Sequence, residues 1–532
     1  MLAALLLAAA PLWAAPLTQA DLKPLAADDF DAKTAAVTAL TKASPEQAAP
    51  ILKALQDDTL QYAPSVGMVR QDGDKLVDAI SGQAVTVKPD ELESLTLNNS
   101  LRALVDSAAS SLQLQSPDIT VRTQAINTLF DAPENASREV VAAARKAEAD
   151  AGLRARLDVI WANTVLADGV DAARDARLEA IRILGHDSNP QSRQKLAPLM
   201  EKDETGKYRE PDADVRLAAQ QALDTLRSDQ RRADLVGNLF AGLSLGSVLL
   251  LAALGLAITY GLIGVINMAH GEFLMIGAYA TYVVQTLFRA YAPNAFDWYL
   301  VAALPASFLA AAVVGFALER IVLRHLYGRP LETLLATFGV SLLFQQAVRT
   351  IFGAQNVEVA NPVWMSGGME WLPGLVIPYN RVIIILFALA VVAIAWGVLN
   401  RTRLGLFVRA TTQNRTMAAC VGVRTWKVDS YAFAFGAGIA GLGGCALSQI
   451  GNVGPDLGQA YIIDSFMVVV LGGVGQLAGT IVGAFGLGII NKFIEPFYGA
   501  VLAKIFVLVL IVLFIQKRPQ GLFALKGRSA EA

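Results

Sequence analysis

The residues best suited to chemistry in this chain lie close together, at Asn267, His270 and Glu272. They separate two long apolar runs, and glycines surround them at positions 261, 264, 271 and 277. An ionisable side chain at membrane depth is costly and normally faces a cavity or a partner. Glycines and polar side chains together favour a broken helix, whose freed backbone groups are satisfied by protein or water. The alternative is a tight turn between two spanning helices, with His270 and Glu272 at the membrane interface.

A broken helix of this kind is how a translocation path through a membrane is built. We therefore predict a path lined by this stretch and by one threonine of a later apolar segment. The predicted residues are Asn267, His270, Gly271, Glu272 and Thr337. His270-Gly-Glu272 is not a zinc-protease motif, because no second histidine follows one helical turn later. We predict no metal site, no cofactor and no catalytic residue.

Hydrophobic residues make up 54% of the 532 residues, but they are unevenly distributed. Residues 18–232 are charged and rich in alanine, whereas residues 235–516 contain several runs long enough to span a bilayer. We predict an all-α protein, in which a soluble helical HEAT-like domain precedes a polytopic membrane domain. That membrane domain has about eight apolar spans, some broken or re-entrant. The net charge of −2, without a long basic tract, gives no indication of nucleic acid binding.

The beginning of the chain, residues 1–17, resembles the apolar region of a secretory signal peptide. The run is too short to span a membrane and ends in small residues, although the usual positively charged start is missing. The alternative is a buried N-terminal helix of the soluble domain. The predicted domains are therefore a signal peptide at 1–17, a soluble domain at 18–232 and a transmembrane domain at 233–525.

A weak pattern recurs in the soluble domain: an acidic residue, a basic residue and then apolar positions at helical spacing. Its four copies begin at Asp31, Asp118, Asp175 and Asp214, and their basic residues are Lys33, Arg122, Arg177 and Arg216. The pattern resembles HEAT-type repeats, in which stacked helix pairs share a core. The alternative is an amphipathic helical domain without true repeats. Short β-prone runs separated by Gly-containing turns predict a small β insertion at 64–97.

Positive charge in the membrane half clusters at residues 320–329, 401–427 and 517–528, and positive loops stay in the cytoplasm. The C-terminus is then inside, and residues 461–494 must enter and leave on one face. A hairpin broken at Gly472, Gly473 and Gly475 meets that requirement. The soluble domain is placed outside, in the periplasm, although Arg231 and Arg232 argue against this orientation.

Two further patterns imitate enzyme motifs. Gly242-Leu-Ser-Leu-Gly246 matches a hydrolase motif, but it lies within one apolar helical run, where small residues allow close helix packing. Gly473-Val-Gly-Gln-Leu-Ala478 matches a dinucleotide fingerprint without the alternating strands and helices that this site needs. No Walker-type run occurs in the sequence. We therefore predict that the chain is not an enzyme and has no ATPase site of its own.

Three stretches resemble one known family, the branched-chain amino acid type of ABC importer permease. They are residues 267–272 (Asn-Met-Ala-His-Gly-Glu), 409–422 and 469–479, and the resemblance covers roughly residues 235–525. The preceding soluble domain is similar to that of the extended permeases of urea ABC importers. The resemblance implies a bacterial inner-membrane protein that pairs with a second, related permease. It also implies two cytoplasmic ATP-binding subunits, a periplasmic substrate-binding protein and contact with membrane lipid, but no nucleic acid.

The resemblance makes residues 409–422 the element that docks on the ATPase. The coupling residues it implies are Arg409, Asn414, Ala418, Ala419 and Gly422. The alternative is a solvated basic connector. The family often carries an acidic residue near the start of this loop, where this chain has Gln413 and Asn414.

The leading functional hypothesis is uptake of a small polar solute, urea, powered by separate ATPase subunits. The alternative is a permease for branched-chain amino acids or short amides. An anchored repeat scaffold would need only one span, and an intramembrane enzyme using Ser244 or His270 lacks a partner base or metal set. Urea is neutral and needs hydrogen-bond donors and acceptors, whereas an amino acid also needs complementary charge.

Overall fold

The computed structural model describes residues 17–523, except 28, 41–42, 73–74, 89–90, 134–135, 188, 204–205, 265–266 and 373. The predicted signal peptide lies outside the described residues, apart from Leu17. The chain is mostly helical, and the predicted all-α, polytopic class is confirmed. It divides into two compact units, Met1–Gln230 and Arg231–Ala532.

The first unit contains nine helices among its described residues and the beginning of a tenth. They are α1 (Gln19–Leu22), α2 (Phe30–Leu40), α3 (Pro45–Gln56), α4 (Asn99–Gln113), α5 (Ile119–Asp131), α6 (Arg138–Ala147), α7 (Ala151–Ala167), α8 (Arg174–Leu184), α9 (Pro190–Leu196) and α10 (Ala213–Ile263). The apolar positions of the four recurring copies mostly face two cores. Ala36, Val37 and Leu40 lie in one core, and Ala125, Ile126, Leu129, Ala180, Leu184, Ala219, Ala222 and Leu223 lie in the other.

A four-stranded antiparallel sheet stands where the sequence predicts a small β insertion. Its strands are β1 (Leu60–Ala63), β2 (Gly67–Asp72), β3 (Lys75–Asp78) and β4 (Glu93–Ser94), in the order β3-β2-β1-β4. The sheet begins four residues before the predicted insertion, because Leu60 pairs with Arg70 across the first turn.

Three helices of this unit, α5, α7 and α10, begin with the same arrangement. An Asp carboxylate accepts a hydrogen bond from a first-turn backbone amide, and an Arg four residues later donates to carbonyl oxygens just before that Asp. The pairs are Asp118 with Arg122, Asp150 with Arg154 and Asp212 with Arg216. In α10 the capping residue is Asp212, and Asp214, the acidic residue of the fourth recurring copy, lies in the first turn of the helix.

Ion pairs join two of these helix starts to an earlier helix. Arg122 Nε donates to Glu148 Oε2 at 2.8 Å, and Glu148 lies two residues before the capping Asp150. Arg177 makes the equivalent pair with Glu210, which lies two residues before Asp212. Each glutamate therefore links the start of one helix to an earlier helix, so the recurring charges of the sequence are internal ties of a helical array.

The described residues of the second unit form the rest of α10 and nine further α-helices. They are α11 (His270–Tyr291), α12 (Tyr299–Ile321), α13 (Pro330–Phe352), α14 (Tyr379–Arg401), α15 (Arg403–Gln413), α16 (Arg415–Cys420), α17 (Thr425–Ser448), α18 (Leu457–Gly472) and α19 (Leu477–Lys517). A positive φ of 79° at Gly499 divides α19 into two helices. A two-stranded hairpin, formed by β5 (Gly368–Leu372) and β6 (Leu375–Pro378), precedes α14, and the sequence analysis predicts no strand there.

Six described helices are long and apolar enough to cross a membrane: α10, α12, α13, α14, α17 and α19. The sequence predicts about eight spans. The difference has physical reasons: α18 has only 16 residues, α11 begins with polar residues, and α19 contains two apolar halves in one element.

Helices α11, α12 and α17 form the centre of the second unit, and small residues let their backbones touch. A Cβ at Gly444 would lie 1.9 Å from the carbonyl oxygen of Leu274, and one at Gly441 would lie 2.5 Å from that of Ser307. Neither position can hold a side chain without moving a helix. The Gly242–Gly246 stretch is likewise inside α10, where Gly242 faces the backbone of Ile489.

Candidate functional site

The stretch that contains the chemistry-bearing residues separates α10 from α11, and α11 begins at His270. Gly264 has a φ of 75°, which ends the helical path, and residues 265–266 are not described. The Asn267 side chain then accepts a hydrogen bond from the amide of Ala269 at 3.0 Å. Asn267 is buried, and its Nδ2 has no hydrogen-bond partner among the described residues. The start of α11 is thus capped locally, with one donor left free.

His270 is fully buried between α10 and α11. Its Nε2 lies 3.2 Å from the carbonyl oxygen of Ala252, and its ring meets Phe273 edge-on. A carbonyl oxygen can only accept, so Nε2 carries the proton of this bond. In a neutral ring Nδ1 is then an acceptor, and it has no partner among the described residues. His270 therefore ties the break to α10.

Glu272 lies in the first turn of α11 and receives two hydrogen bonds from α13. Ser341 Oγ donates to Glu272 Oε1 at 2.7 Å, and Gln345 Nε2 donates to the same oxygen at 2.9 Å. The other oxygen, Oε2, is buried and has no partner in the described part of the chain. A buried carboxylate oxygen without a donor is costly, and it can accept a hydrogen bond from a bound solute.

The partners of Glu272 belong to a polar stripe along α13. Four polar residues of this apolar helix, spaced four apart, are buried: Thr333, Thr337, Ser341 and Gln345. Arg349 continues the same row and is exposed. Thr337 Oγ1 accepts a hydrogen bond from the amide of Met268 at 3.1 Å. We call these five residues the α13 polar stripe. The sequence analysis missed Ser341 and did not select Gln345, although their four-residue spacing places both beside Thr337 on a helix.

A second helix begins beside Gly271. A Cβ at Gly271 would lie 2.4 Å from the carbonyl oxygen of Gly458, in the first turn of α18. Asp456 precedes α18 and forms an ion pair with Arg349 of the stripe at 2.6 Å. The starts of α11 and α18 therefore meet at Gly271 and Gly458, next to Glu272, with the α13 polar stripe in contact with both.

The predicted coupling residues lie on two short helices rather than on a loop. Arg409 of α15 donates to the carbonyl oxygen of Leu399 at 2.6 Å, which holds α15 against the end of α14. Asn414 caps α16 by accepting from the amide of Met417 at 2.9 Å. Ala418 is buried, Ala419 is exposed, and Gly422 ends the segment with a φ of 90° and open space around it.

The predicted helix break at Gly472–Gly475 separates α18 from α19. Gly473 and Gly475 have φ values of 100° and 76°, which favour glycine. The chain after α19 returns to this break, because the amide of Leu522 donates to the carbonyl oxygen of Leu471 at 2.8 Å. Helix α19 therefore begins at the break, and the segment that follows α19 packs beside the same break.

A cavity of about 500 Å³ connects two of the predicted residue sets. It is lined by the end of α10 (Gly261), the end of α14 (Asn400), α15 (Arg409, Gln413) and the break (Gly475, Gln476). The structure thus brings Arg409 near Gly475 and gathers Asn267, His270, Gly271, Glu272 and Thr337 around the start of α11. None of the residues that line the cavity belongs to that second group. Among the described residues, no group of His, Cys, Asp and Glu could hold a metal ion.

Comparison with known proteins gives a consistent result. A family model described as branched-chain amino acid transport system, permease component, matches residues 238–515. The chain is 30% identical over 287 residues to the high-affinity branched-chain amino acid transport system permease protein BraD of Pseudomonas aeruginosa, covering 53% of this chain and 93% of that protein. It is 29% identical over 290 residues to LivH of Escherichia coli K12, covering 53% and 94%. The probable permease LivH of Methanocaldococcus jannaschii is 25% identical, covering 52% and 88%.

No solved structure matches the chain. The family match includes α11, α13, both breaks and the α15–α16 segment, and it leaves the first 237 residues unmatched. Since the matched region is just over half of the sequence, the chain belongs to the family of branched-chain amino acid transport system permease components, and it is a multi-pass membrane permease of the ABC transporter class.

Proposed function

We propose that this permease moves its solute along the α13 polar stripe, past Asn267, His270 and Glu272, and that Glu272 contacts the solute. The observation that carries the proposal is the free, buried Oε2 of Glu272, held in place by Ser341 and Gln345. Glu272 lies in the first turn of α11, directly after the break that follows α10, and breaks in membrane helices are typical of transport sites near the bilayer midplane.

The solute that fits best is a branched-chain amino acid. The relatives named above are branched-chain amino acid permeases, and a carboxylate oxygen without a donor suits an ammonium group. The free donor of Asn267 could serve the carboxylate end of the same molecule. Urea is the second candidate, because Ser341, Gln345 and Asn267 are neutral hydrogen-bonding groups and the first 237 residues have no counterpart in the family match.

Uptake of labelled leucine and labelled urea decides between these solutes. Cells with the parent protein should take up leucine, and Glu272→Gln and His270→Ala variants should insert in the membrane but transport poorly. Gln346→Ala is the matched control, since Gln346 is the exposed neighbour of Gln345 on α13. Urea uptake without leucine uptake reverses the order of the candidates, and normal transport by both variants removes the path assignment.

We propose that α15, α16 and Gly422 dock on a cytoplasmic ATPase subunit. Met417 of α16 and Val421, the residue that follows α16, are large apolar side chains that are mostly exposed within a basic segment. An exposed apolar tip in such a segment suits insertion into a groove of another protein. The importer would also contain a second permease, a second ATPase and a substrate-binding protein on the other face.

Replacement of Met417 by Asp tests this docking. It places a charge on the tip without changing the membrane helices, so we expect normal insertion with transport lost and ATP hydrolysis no longer linked to solute. His325→Asp, at an exposed position of the neighbouring α12–α13 connection, is the control for added charge. If the Met417 variant couples ATP hydrolysis to uptake as the parent does, α16 is only a connector.

We propose that the first unit lies in the periplasm, on the side opposite the basic segments at 320–329 and 401–427. Protease added to intact spheroplasts should then cut within residues 17–230 and leave the membrane unit. Cutting only in inside-out vesicles places the first unit in the cytoplasm.

A further inference from the structure

The membrane unit contains a second buried charged cluster, far in sequence from Glu272. Glu319, near the end of α12, and Asp429, in the first turns of α17, are both almost completely buried. Tyr327 Oη donates to Glu319 Oε1 at 3.0 Å, and Ser430 Oγ donates to Glu319 Oε2. Asp429 Oδ2 receives its hydrogen bond from Arg415, the first residue of α16.

Arg415 also lies over the ring of Tyr327, with 4.8 Å between the guanidinium carbon and the ring centroid. It therefore contacts both sides of the cluster, the α17 side through Asp429 and the α12–α13 connection through Tyr327. We call Glu319, Tyr327, Arg415, Asp429 and Ser430 the α16 latch.

The charges of the latch make it sensitive to the position of α16. Two carboxylates share one buried site, and Arg415 is the cation that contacts Asp429. Asp429 is buried whereas the side chain of Arg415 is partly exposed, so loss of Arg415 leaves a buried carboxylate without its cation, which is unfavourable. If α16 moves away, Asp429 loses its cation, because its other oxygen, Oδ1, has no partner among the described residues.

We propose that the α16 latch fixes the docking segment to α12 and α17, so that a push on α16 by the ATPase moves these membrane helices. Arg415 and Asp429 are then positioning residues for transport, acting through α16 rather than on the solute. This inference rests on the proposed docking role of α16. It adds the route by which the motion enters the membrane unit, through helices whose backbones touch at Gly441 and Ser307.

The first experiment measures the latch without any ATPase. Cys420 is exposed at the end of α16 and Cys445 is buried, so a thiol-directed spin label attaches selectively to Cys420 in the full-length permease. We expect the label to become more mobile in Asp429→Asn and in Arg415→Gln. In Glu332→Gln, which removes an exposed carboxylate near α13, the spectrum should match the parent. Unchanged mobility in both latch variants overturns the proposal.

The second experiment measures coupling in the complete importer reconstituted with its ATPases. The ATP consumed per solute transported should rise roughly 2- to 30-fold in Asp429→Asn, the range expected when a coupling residue is lost. Tyr327→Phe removes only the hydroxyl donor to Glu319, so it provides a milder variant if Asp429→Asn does not insert. If the spin label on Cys420 becomes more mobile in Asp429→Asn but the ATP consumed per solute stays at the parent's value, the latch does not transmit motion from the ATPase.

The two experiments separate this inference from the docking proposal. If docking on the ATPase is wrong, Met417→Asp couples normally while the latch variants still release the label. If only the latch is wrong, Met417→Asp uncouples the importer while Asp429→Asn behaves as the parent in both measurements. Arg415→Lys keeps the cation but not the planar guanidinium, and it should recover part of the lost coupling.

Discussion

Gly271 and Gly458 lie backbone against backbone where α11 and α18 begin. A Cβ on either glycine would lie 2.4 Å from the carbonyl oxygen of the other. Two helices of the membrane unit thus start at the same point of the fold, and Glu272 is the residue after Gly271 in the first turn of α11. The contact explains why position 271 is a glycine, because α18 leaves no room there for a side chain.

Gly271→Ala should destabilise the membrane unit and reduce transport. The added methyl group meets backbone atoms, which cannot rotate away, and overpacking of this kind costs about 1–3 kcal/mol. Thermal unfolding in detergent should show a lower midpoint than the parent. Gly486→Ala is the control, because Gly486 lies within α19 with nothing near its Cβ position. Equal midpoints for the two variants would mean that α11 and α18 are not in contact.

Gln345→Leu should impair transport more than Ser341→Ala. Each variant removes one of the two donors to Glu272 Oε1. The leucine also places a large apolar side chain next to the carboxylate, which alanine does not do. Loss of a hydrogen bond to a charged group costs about 1.5–3 kcal/mol. Initial uptake rates, measured at matched expression, test the order. A parent-like rate for Gln345→Leu would show that Glu272 needs no orientation by α13.

The sequence predicts the position of the first break, because glycines and polar residues within apolar runs are a local signal. It does not predict the partners of Glu272, since Ser341 and Gln345 follow it by 69 and 73 residues and only the fold brings them together. The same holds for the latch, where Ser430 reaches Glu319 across 111 residues. Contacts of this kind depend on how α11, α12, α13 and α17 pack, and no local pattern encodes them.

Two local misjudgements have a different cause. The basic segment at 401–427 contains α15 and α16, although its positive charge suggested a loop; the charge reports which side of the membrane it occupies and not its backbone conformation. The hairpin β5–β6 is short and mostly exposed, so it lacks the alternating apolar pattern by which a strand is recognised.

The ion pair between Arg122 and Glu148 should make the first unit sensitive to acid. The hydrogen bond from Arg122 lowers the pKa of Glu148 below its usual value, opposed by burial. A carboxyl group with a lowered pKa in the folded state adds stability above the pKa of the unfolded chain, and this contribution disappears as the pH falls through the folded pKa. The unfolding midpoint of a 17–230 fragment should therefore drop between about pH 5 and pH 3.

Glu148→Gln provides the matched control for this pH dependence. At neutral pH the free energy of unfolding of this variant should be about 1–3 kcal/mol lower than that of the parent, because a hydrogen bond to a charged group is weakened. Its midpoint should fall less steeply in acid, since the titrating group is gone. Identical acid slopes for parent and variant would assign the pH dependence to other carboxylates.

Asn414 should control the docking segment through its cap. α16 has six residues, and the Asn414 side chain satisfies the amide of Met417, whose side chain forms the exposed tip. Loss of a capping side chain costs about 0.5–2 kcal/mol, a large fraction of what can stabilise so short a helix. Asn414→Leu should therefore speed hydrogen exchange at the amide of Met417 and raise the ATP consumed per solute.

Asn414→Asp and Asn414→Ser should behave as the parent, because both keep an oxygen that accepts from the amide of Met417. The aspartate also places a negative charge at a helix N-terminus and beside Arg415, where it is favourable. This comparison separates the cap from the identity of the side chain. Asn414→Leu and Asn414→Ser are compared directly by hydrogen exchange at the amide of Met417 and by the ATP consumed per solute. If the two variants give the same values, α16 is held by the latch and by Gly422 alone, and its cap has no part in coupling.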